Sequence, residues 1–157
     1  DSRVENLSDT SKPLVFDLAI AVPAYAERHG KRLFLRPHLF GRQSTPVFVS
    51  SNRDFDLAFN YAWNENDEIS FEFPTGFSME TATPVKPLVY EKIGGFMDIS
   101  VKSPEATTLV FRRSLSFGKA GWLSVSSIFY SAYKGFFDAV GAADNQTLVI
   151  RAESPKN

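Results

Sequence analysis

The sequence of 157 residues contains no cysteine. This absence excludes disulfide bonds, cysteine-ligated zinc or iron–sulfur sites and any thiol nucleophile. No excess of one charge is present either, since Lys and Arg total 17, Asp and Glu total 18, and the formal net charge is −1. A chain so balanced lacks the basic field of nucleic-acid-binding proteins, so no nucleic-acid partner is predicted. Uninterrupted apolar runs fall far short of the roughly 20 residues of a spanning helix, so no membrane span is predicted.

Phenylalanine, in contrast, is abundant. The chain has 15 Phe, and its 43% hydrophobic and 22% charged residues are typical of one globular domain. We expect the mostly polar residues 1–12 to form a flexible lead-in and residues 13–157 to form a single domain. Because the sequence starts at Asp1 rather than at Met, we expect it to be a fragment of a larger protein.

Alternation of large apolar residues with small or polar ones predicts strands along most of the chain. In the first strand, over residues 13–22, four apolar residues share one side: Leu14, Phe16, Leu18 and Ile20. Residues 24–29 are expected to form one helical turn that Gly30 closes, and a strand follows at residues 32–37.

The segment of residues 55–73 has the clearest alternation. Five large side chains occupy every second position of its first half: Phe55, Leu57, Phe59, Tyr61 and Trp63. We expect all five to lie on one core-facing side of a strand. Residues 64–67 are of turn-forming types, and apolar residues alternate again over residues 68–73. The segment therefore predicts an antiparallel hairpin with its loop at residues 64–67.

Further strands are predicted at residues 77–82, 87–92, 96–102 and 107–117. Arg113 interrupts the apolar side of the last of these, so we expect that strand to bend or to reach a sheet edge there. From Ser127 the apolar spacing changes to three and four residues, which predicts an amphipathic helix with Ser126 or Ser127 as N-cap and a final strand after Asn145. These elements predict a mainly β fold, an immunoglobulin-like antiparallel β-sandwich with one C-terminal helix before the last strand.

No catalytic constellation is evident. His29 and His38 are the two histidines, and neither stands in a zinc-binding motif or is accompanied by a Gly-x-Ser-x-Gly motif. The carboxylates of residues 65–72 match neither a calcium loop nor an established glycosidase pair, and we interpret them as the polar face of a strand. We expect a protein without catalytic residues, cofactor or metal.

Two candidate contact sites remain. The first is a basic segment with five cationic residues: Arg28, Lys31, Arg32, Arg36 and Arg42. It is open to two interpretations, a surface for an anionic partner or a neighbouring domain, and the solvated edge of a sheet. The second site is Trp122, which stands in a Gly-flanked segment and could stack on a ligand, whereas Tyr61 and Trp63 are assigned to the core.

Four segments, taken in order, resemble a known family: PLVFDLAIAVPAYAERHGKRLFLRP from Pro13, FDLAFNYAW from Phe55, FEFPTGFSME from Phe71, and YKGFFDAV followed by QTLVIRA. They are similar to the domain of unknown function at the C-terminus of bacterial transglutaminase-like multidomain proteins. In that architecture a β domain and a papain-like core precede the domain, commonly in envelope-associated proteins. The family's catalytic Cys, His and Asp lie in the core, so the resemblance implies no catalytic residue here.

The resemblance implies a function, a partner and a location. We expect a non-catalytic accessory domain that packs on or positions a neighbouring transglutaminase-like core of the same polypeptide, in the periplasm or cell envelope. The basic segment is its expected contact surface. The alternative is a carbohydrate- or peptide-binding β-sandwich module that uses Trp122.

Overall fold

A computed structural model of the chain describes residues 2–40, 45–81, 85–118 and 123–153. Within these ranges the chain forms twelve strands and one α-helix, together with two short 3₁₀ turns. The strands are β1 (Ser2–Glu5), β2 (Val15–Leu18), β3 (Glu27–His29), β4 (Arg32–Leu35), β5 (Leu57–Ala58), β6 (Trp63–Glu72), β7 (Phe77–Thr81), β8 (Leu88–Tyr90), β9 (Gly95–Glu105), β10 (Thr108–Phe117), β11 (Ser124–Val125) and β12 (Leu148–Ala152). The helix α1 spans Tyr130–Asp144.

Two four-stranded antiparallel sheets carry the core. One has the strand order β6-β10-β9-β8 and the other the order β3-β4-β12-β7. Buried residues of both sheets and of α1 join in one hydrophobic cluster. The prediction of a mainly β, antiparallel, sandwich-like fold with one helix before the last strand is therefore confirmed.

The helix packs its aromatic side chains on the sheet that contains β10. Phe136 is fully buried, and its ring stacks on Phe117 with a centroid distance of 6.0 Å. Phe137 contacts the same Phe117 ring at 4.9 Å. Helical spacing of the apolar residues correctly predicted this contact face. The capping prediction was wrong, because neither Ser126 nor Ser127 caps the helix with its side chain.

The start of the helical region is instead held by a residue distant in sequence. The carboxylate Oδ1 of Asp56 accepts a hydrogen bond from the backbone N–H of Ser127 at 2.9 Å. Ser127 begins a 3₁₀ turn that leads into α1 at Tyr130. An acidic side chain at this position satisfies a backbone donor that the helix itself cannot pair.

The hairpin predicted for residues 55–73 is wrong. Residues 64–67 lie inside the continuous strand β6, which pairs residue for residue with β10 from Trp63–Phe117 to Glu72–Thr108. The two-residue strand β5 pairs with β11 instead. Phe55 and Tyr61 are 80% and 65% exposed, so the five alternating side chains do not share a core-facing side.

Two smaller predictions also need correction. Residues 27–29 form strand β3 rather than a helical turn, and Gly30, with φ of +61°, lies in the two-residue loop to β4. Arg113 lies neither at a bend nor at an edge, because β10 runs between β6 and β9.

The polar N-terminal residues contain an ordered element. Strand β1 pairs antiparallel with β2, and Val4 lies opposite Phe16 in the register. Between the strands, the side-chain amide of Asn6 donates to the carbonyl of Pro13 at 2.8 Å. None of the helices in the described ranges combines the length and the apolar character needed to cross a bilayer.

Candidate functional site

The N-terminal hairpin of β1 and β2 has one apolar face, which we call the hairpin face. It consists of Phe16 and Leu18 of β2 and of Leu14 and Ile20, which continue the alternation just outside the strand, with Val4 opposite Phe16. The first four of these side chains are between 50% and 65% exposed. No described residue before Tyr25 belongs to the hydrophobic cluster of the two larger sheets. The hairpin face is therefore an apolar surface that the domain's own core does not cover.

The opposite face of the hairpin is charged. Arg3 lies opposite Asp17 in the register and forms an ion pair with Glu5 at 2.6 Å. An isolated two-stranded hairpin is only marginally stable in water, and it gains stability when one face packs against another surface. Because one face is charged and the other apolar, the apolar hairpin face is the side that would pack against another surface.

The basic segment does not form one surface. Arg28 pairs in register with Leu33, whereas Arg32 pairs with His29, so Arg28 and Arg32 point to opposite sides of the β3–β4 hairpin. Arg32 is held by Glu80 through two hydrogen bonds of 2.6 Å and 2.5 Å. These bonds raise the pKa of Arg32 and lower the pKa of Glu80. Lys31 is exposed in the loop between the strands.

Arg36 is the member of the segment that lines a cavity. The cavity measures about 430 Å³, and its lining includes Glu27, His29 and Phe34. His29 contacts the ring of Phe34 edge to face at 5.4 Å, and its Nε2 lies 3.9 Å from Glu27 Oε2. The remaining two predicted contact residues, Arg42 and Trp122, lie outside the described residues.

A buried charged cluster surrounds Arg113, which is 3% exposed. Its guanidinium donates from Nε and Nη2 to the two carboxylate oxygens of Asp144, at 2.6 Å and 3.0 Å. Its Nη1 donates to Glu65 at 2.8 Å and to Asp67 at 3.2 Å. Burial alone would lower the pKa of Arg113, but the hydrogen bonds to Asp144 and Glu65 outweigh burial and raise it. This cluster joins β10, β6 and the end of α1.

His38 completes the cluster from the loop after β4 and is 3% exposed. Its Nδ1 lies 3.6 Å from Asp144 and its Nε2 lies 3.6 Å from Asp67, both too far for a hydrogen bond. Nδ1 has no hydrogen-bond partner among the described residues. Burial is the main cause that lowers the pKa of His38; Arg113 acts in the same direction, and the negative charge of Asp144 opposes both. His38 is therefore a buried imidazole whose charged form is disfavoured by its surroundings.

The centre of the cluster is closed to solvent. Its central residues, Arg113, Asp144 and His38, are all at most 3% exposed, so they offer no approach to a reacting group. In the described ranges, no group of three or more His, Asp and Glu side chains is arranged to hold a metal ion. The hydrogen bonds of the cluster tie β6 and β10 to the end of α1, and His38, from the loop after β4, lies beside them.

A scan against protein-family models matches residues 31–150 to DUF3858, which is described as a domain of unknown function with a solved structure. The chain belongs to the DUF3858 family. Searches of the curated proteins and of the solved structures gave no match.

The DUF3858 match separates the two features described above. Every residue of the buried cluster, from His38 to Asp144, lies inside residues 31–150. The hairpin face lies before the matched range. The cluster thus lies within the residues that match DUF3858, whereas the hairpin lies outside them.

Sequence reasoning missed the cluster, although one signal for it was present. Arg113 stands at an inward position of an otherwise apolar strand face, and such a charge requires a buried counter-charge. Asp67 lies directly opposite Arg113 in the β6–β10 register. Recognition of that pairing requires residues 64–67 to be placed in a strand, where the sequence had predicted a loop.

Proposed function

We propose that this DUF3858 chain is a non-catalytic accessory domain that packs through the hairpin face against a neighbouring domain of the same polypeptide. The exposed apolar face of the β1–β2 hairpin is the observation that carries the proposal. A contiguous apolar surface of this kind is typical of an interaction site in a folded protein. We propose further that this neighbouring domain is a transglutaminase-like core.

The hairpin face suits this role better than the basic segment does. Arg32 is already neutralised by Glu80, and Arg28 points away from it, so these cations present no shared patch. Phe16 and Leu18, in contrast, lie on one side of one strand and are each nearly 60% exposed. Because these side chains stay exposed within the domain, their burial against a partner would contribute hydrophobic free energy to binding.

The first test is whether the gene encodes a Cys-containing domain upstream of this chain. The second is the affinity of that upstream domain for the 157-residue chain, measured by titration calorimetry with wild type and with the double variant Phe16→Ser/Leu18→Ser. Full burial of two such side chains contributes about 3–6 kcal/mol. Phe16 and Leu18 are each nearly 60% exposed, so docking would add about three-fifths of that free energy. We therefore expect the double variant to bind roughly 20- to 450-fold more weakly.

The matched control is Phe55→Ser, since Phe55 is also an exposed aromatic side chain but lies outside the hairpin. Its affinity for the upstream domain should equal that of wild type. The proposal fails if the gene has no upstream domain, or if the double variant binds as tightly as wild type. A homodimer that the double variant dissociates, without any binding to the upstream domain, would also contradict it.

A further inference from the structure

Two aromatic side chains form a corner at the start of β6. Tyr61 is 65% exposed, and its ring meets that of Trp63 edge to face, with centroids 6.1 Å apart and planes at 73°. The two rings border an open cleft of about 560 Å³. Such a corner offers a ligand two apolar walls at nearly a right angle.

Trp63 is fixed from behind. Its ring lies 4.7 Å from Phe117 and 6.2 Å from Phe137, measured between centroids, and both Phe residues belong to the core. The wall that Trp63 forms is therefore pre-organised, and a ligand would not have to order it on binding.

Polar side chains line the same cleft beside the rings. The amide of Asn60 is exposed and makes no hydrogen bond within the described part of the chain. Glu65 is about half exposed, and its Oε2 is held by Arg113 Nη1 at 2.8 Å. Asn64 borders the cleft as well, but its side chain points to the other face of β6, because it alternates with Trp63 and Glu65. The Asn60 amide can donate and accept, and the Glu65 carboxylate is a fixed acceptor, so the cleft joins aromatic faces to hydrogen-bonding groups.

We propose that this cleft binds an uncharged saccharide, with a sugar ring seated against Tyr61 and Trp63. A sugar ring has C–H groups on its faces and hydroxyl groups around its rim. The faces of the sugar ring match the aromatic walls, and its hydroxyl groups match the Asn60 amide and the Glu65 carboxylate. Few convergent polar groups beside apolar walls are the usual composition of a small-molecule site.

The charge of the cleft selects against acidic sugars. Glu65 is the charged residue of the lining, and its counter-charge Arg113 is buried beneath it and already shared with Asp144. A uronic acid would place its carboxylate beside Glu65 without a free cation to pair with it. This site uses no residue of the hairpin face, so it stands or falls independently of the domain-docking proposal.

The test is a titration of the 157-residue chain with maltotriose, cellotriose, triacetylchitotriose and, as the acidic arm, trigalacturonate. The sequence has two Trp, so Trp122→Phe leaves Trp63 as the only tryptophan reporter. We expect at least one of the three uncharged trisaccharides to shift Trp63 fluorescence, with a Kd on the order of 1 mM or tighter. Tyr61→Ala and Asn60→Ala should each weaken that binding, the former by about tenfold.

Phe55→Ala is the control, because Phe55 is an equally exposed aromatic residue outside the cleft. It should bind the same trisaccharide as wild type does, and circular dichroism should show all variants folded. The proposal is overturned if wild type binds none of the uncharged trisaccharides at ~10 mM, about ten times the expected Kd. It is equally overturned if Tyr61→Ala binds as wild type, if Trp122→Phe abolishes binding in calorimetry, or if trigalacturonate binds more tightly.

Discussion

Replacement of Arg113 by methionine is the sharpest test of the buried cluster. The substitution keeps much of the aliphatic volume but removes four hydrogen bonds, two to Asp144 and one each to Glu65 and Asp67. The Asp144 carboxylate, 2% exposed, then lies in the interior without its counter-charge. Removal of one partner of a buried ion pair costs about 3–5 kcal/mol. For a chain of this size, such a loss lowers the Tm by roughly 6–20 °C.

Urea unfolding at pH 7, followed by far-ultraviolet circular dichroism, measures the effect. The neighbouring residue supplies the control, since Arg112 also forms an ion pair, with Glu68 at 2.7 Å, but on the exposed side of β10. Arg112→Met should change the free energy of unfolding far less, because water and salt screen exposed ion pairs. A loss for Arg113→Met no larger than that for Arg112→Met would refute the assignment.

A second variant separates a lost ion pair from lost packing. Arg113→Met combined with Asp144→Leu leaves no buried charge at the end of α1, so it should be more stable than Arg113→Met alone. If the double variant is less stable by the sum of the two single losses, the pair is not coupled as the geometry requires.

Three further predictions concern pH, the core and the glycines. The pKa of His38 is lowered in the folded state, so on acidification the unfolded chain takes up the proton first. The free energy of unfolding should therefore fall as the pH drops below about 6.5. Urea titrations of His38→Gln should show a shallower fall of this free energy with pH. Phe136→Ala should cost about 3–5 kcal/mol in the same assay, whereas Phe55→Ala should cost close to nothing. Gly135→Ala should raise the Tm by stabilising α1 by about 0.5–1 kcal/mol, because a Cβ at this position meets open space. Gly95→Ala should lower the Tm, because the new Cβ would lie 2.9 Å from the Phe136 ring.

Local periodicity predicted the regular elements well where one face packs on the core. The spacing of Tyr133, Phe136 and Val140 indicated the helix and its contact side, and all three are buried. The alternation in residues 107–117 likewise indicated β10 and its buried face. In both elements the same apolar residues determine the secondary structure and are buried, so their spacing predicts the element and its buried face together.

Periodicity failed where a polar residue has a distant partner. Asn64, Asn66 and Asp67 are turn-forming types, yet they lie in the extended strand β6. They do so because residues of β10 pair with their backbone and, for Asn66 and Asp67, bind their side chains. Asn66 accepts from the Ser114 hydroxyl at 2.8 Å, and Asp67 accepts from Arg113. The cross-strand register that brings these residues together is set by tertiary packing, which local propensity does not encode.

The candidate surfaces were predictable only in part. The alternation of Leu14, Phe16, Leu18 and Ile20 predicted a strand over residues 13–22, and its central part, Val15–Leu18, is strand β2. It did not indicate that this side faces outward, because period-2 alternation is identical for a core-facing strand and for a strand that docks on another domain. Tyr61 was likewise assigned to the core by parity with Leu57, but it lies between β5 and β6 and is 65% exposed.

The docking role of the hairpin face is tested most directly by hydrogen exchange of the backbone amides in residues 2–5 and 15–18. The measurement compares the 157-residue chain alone with a polypeptide in which the proposed upstream domain precedes it. Coverage of the hairpin face predicts markedly slower exchange of these amides in the longer polypeptide, because a packed hairpin opens less often. Equal exchange rates in the two proteins would contradict the docking role.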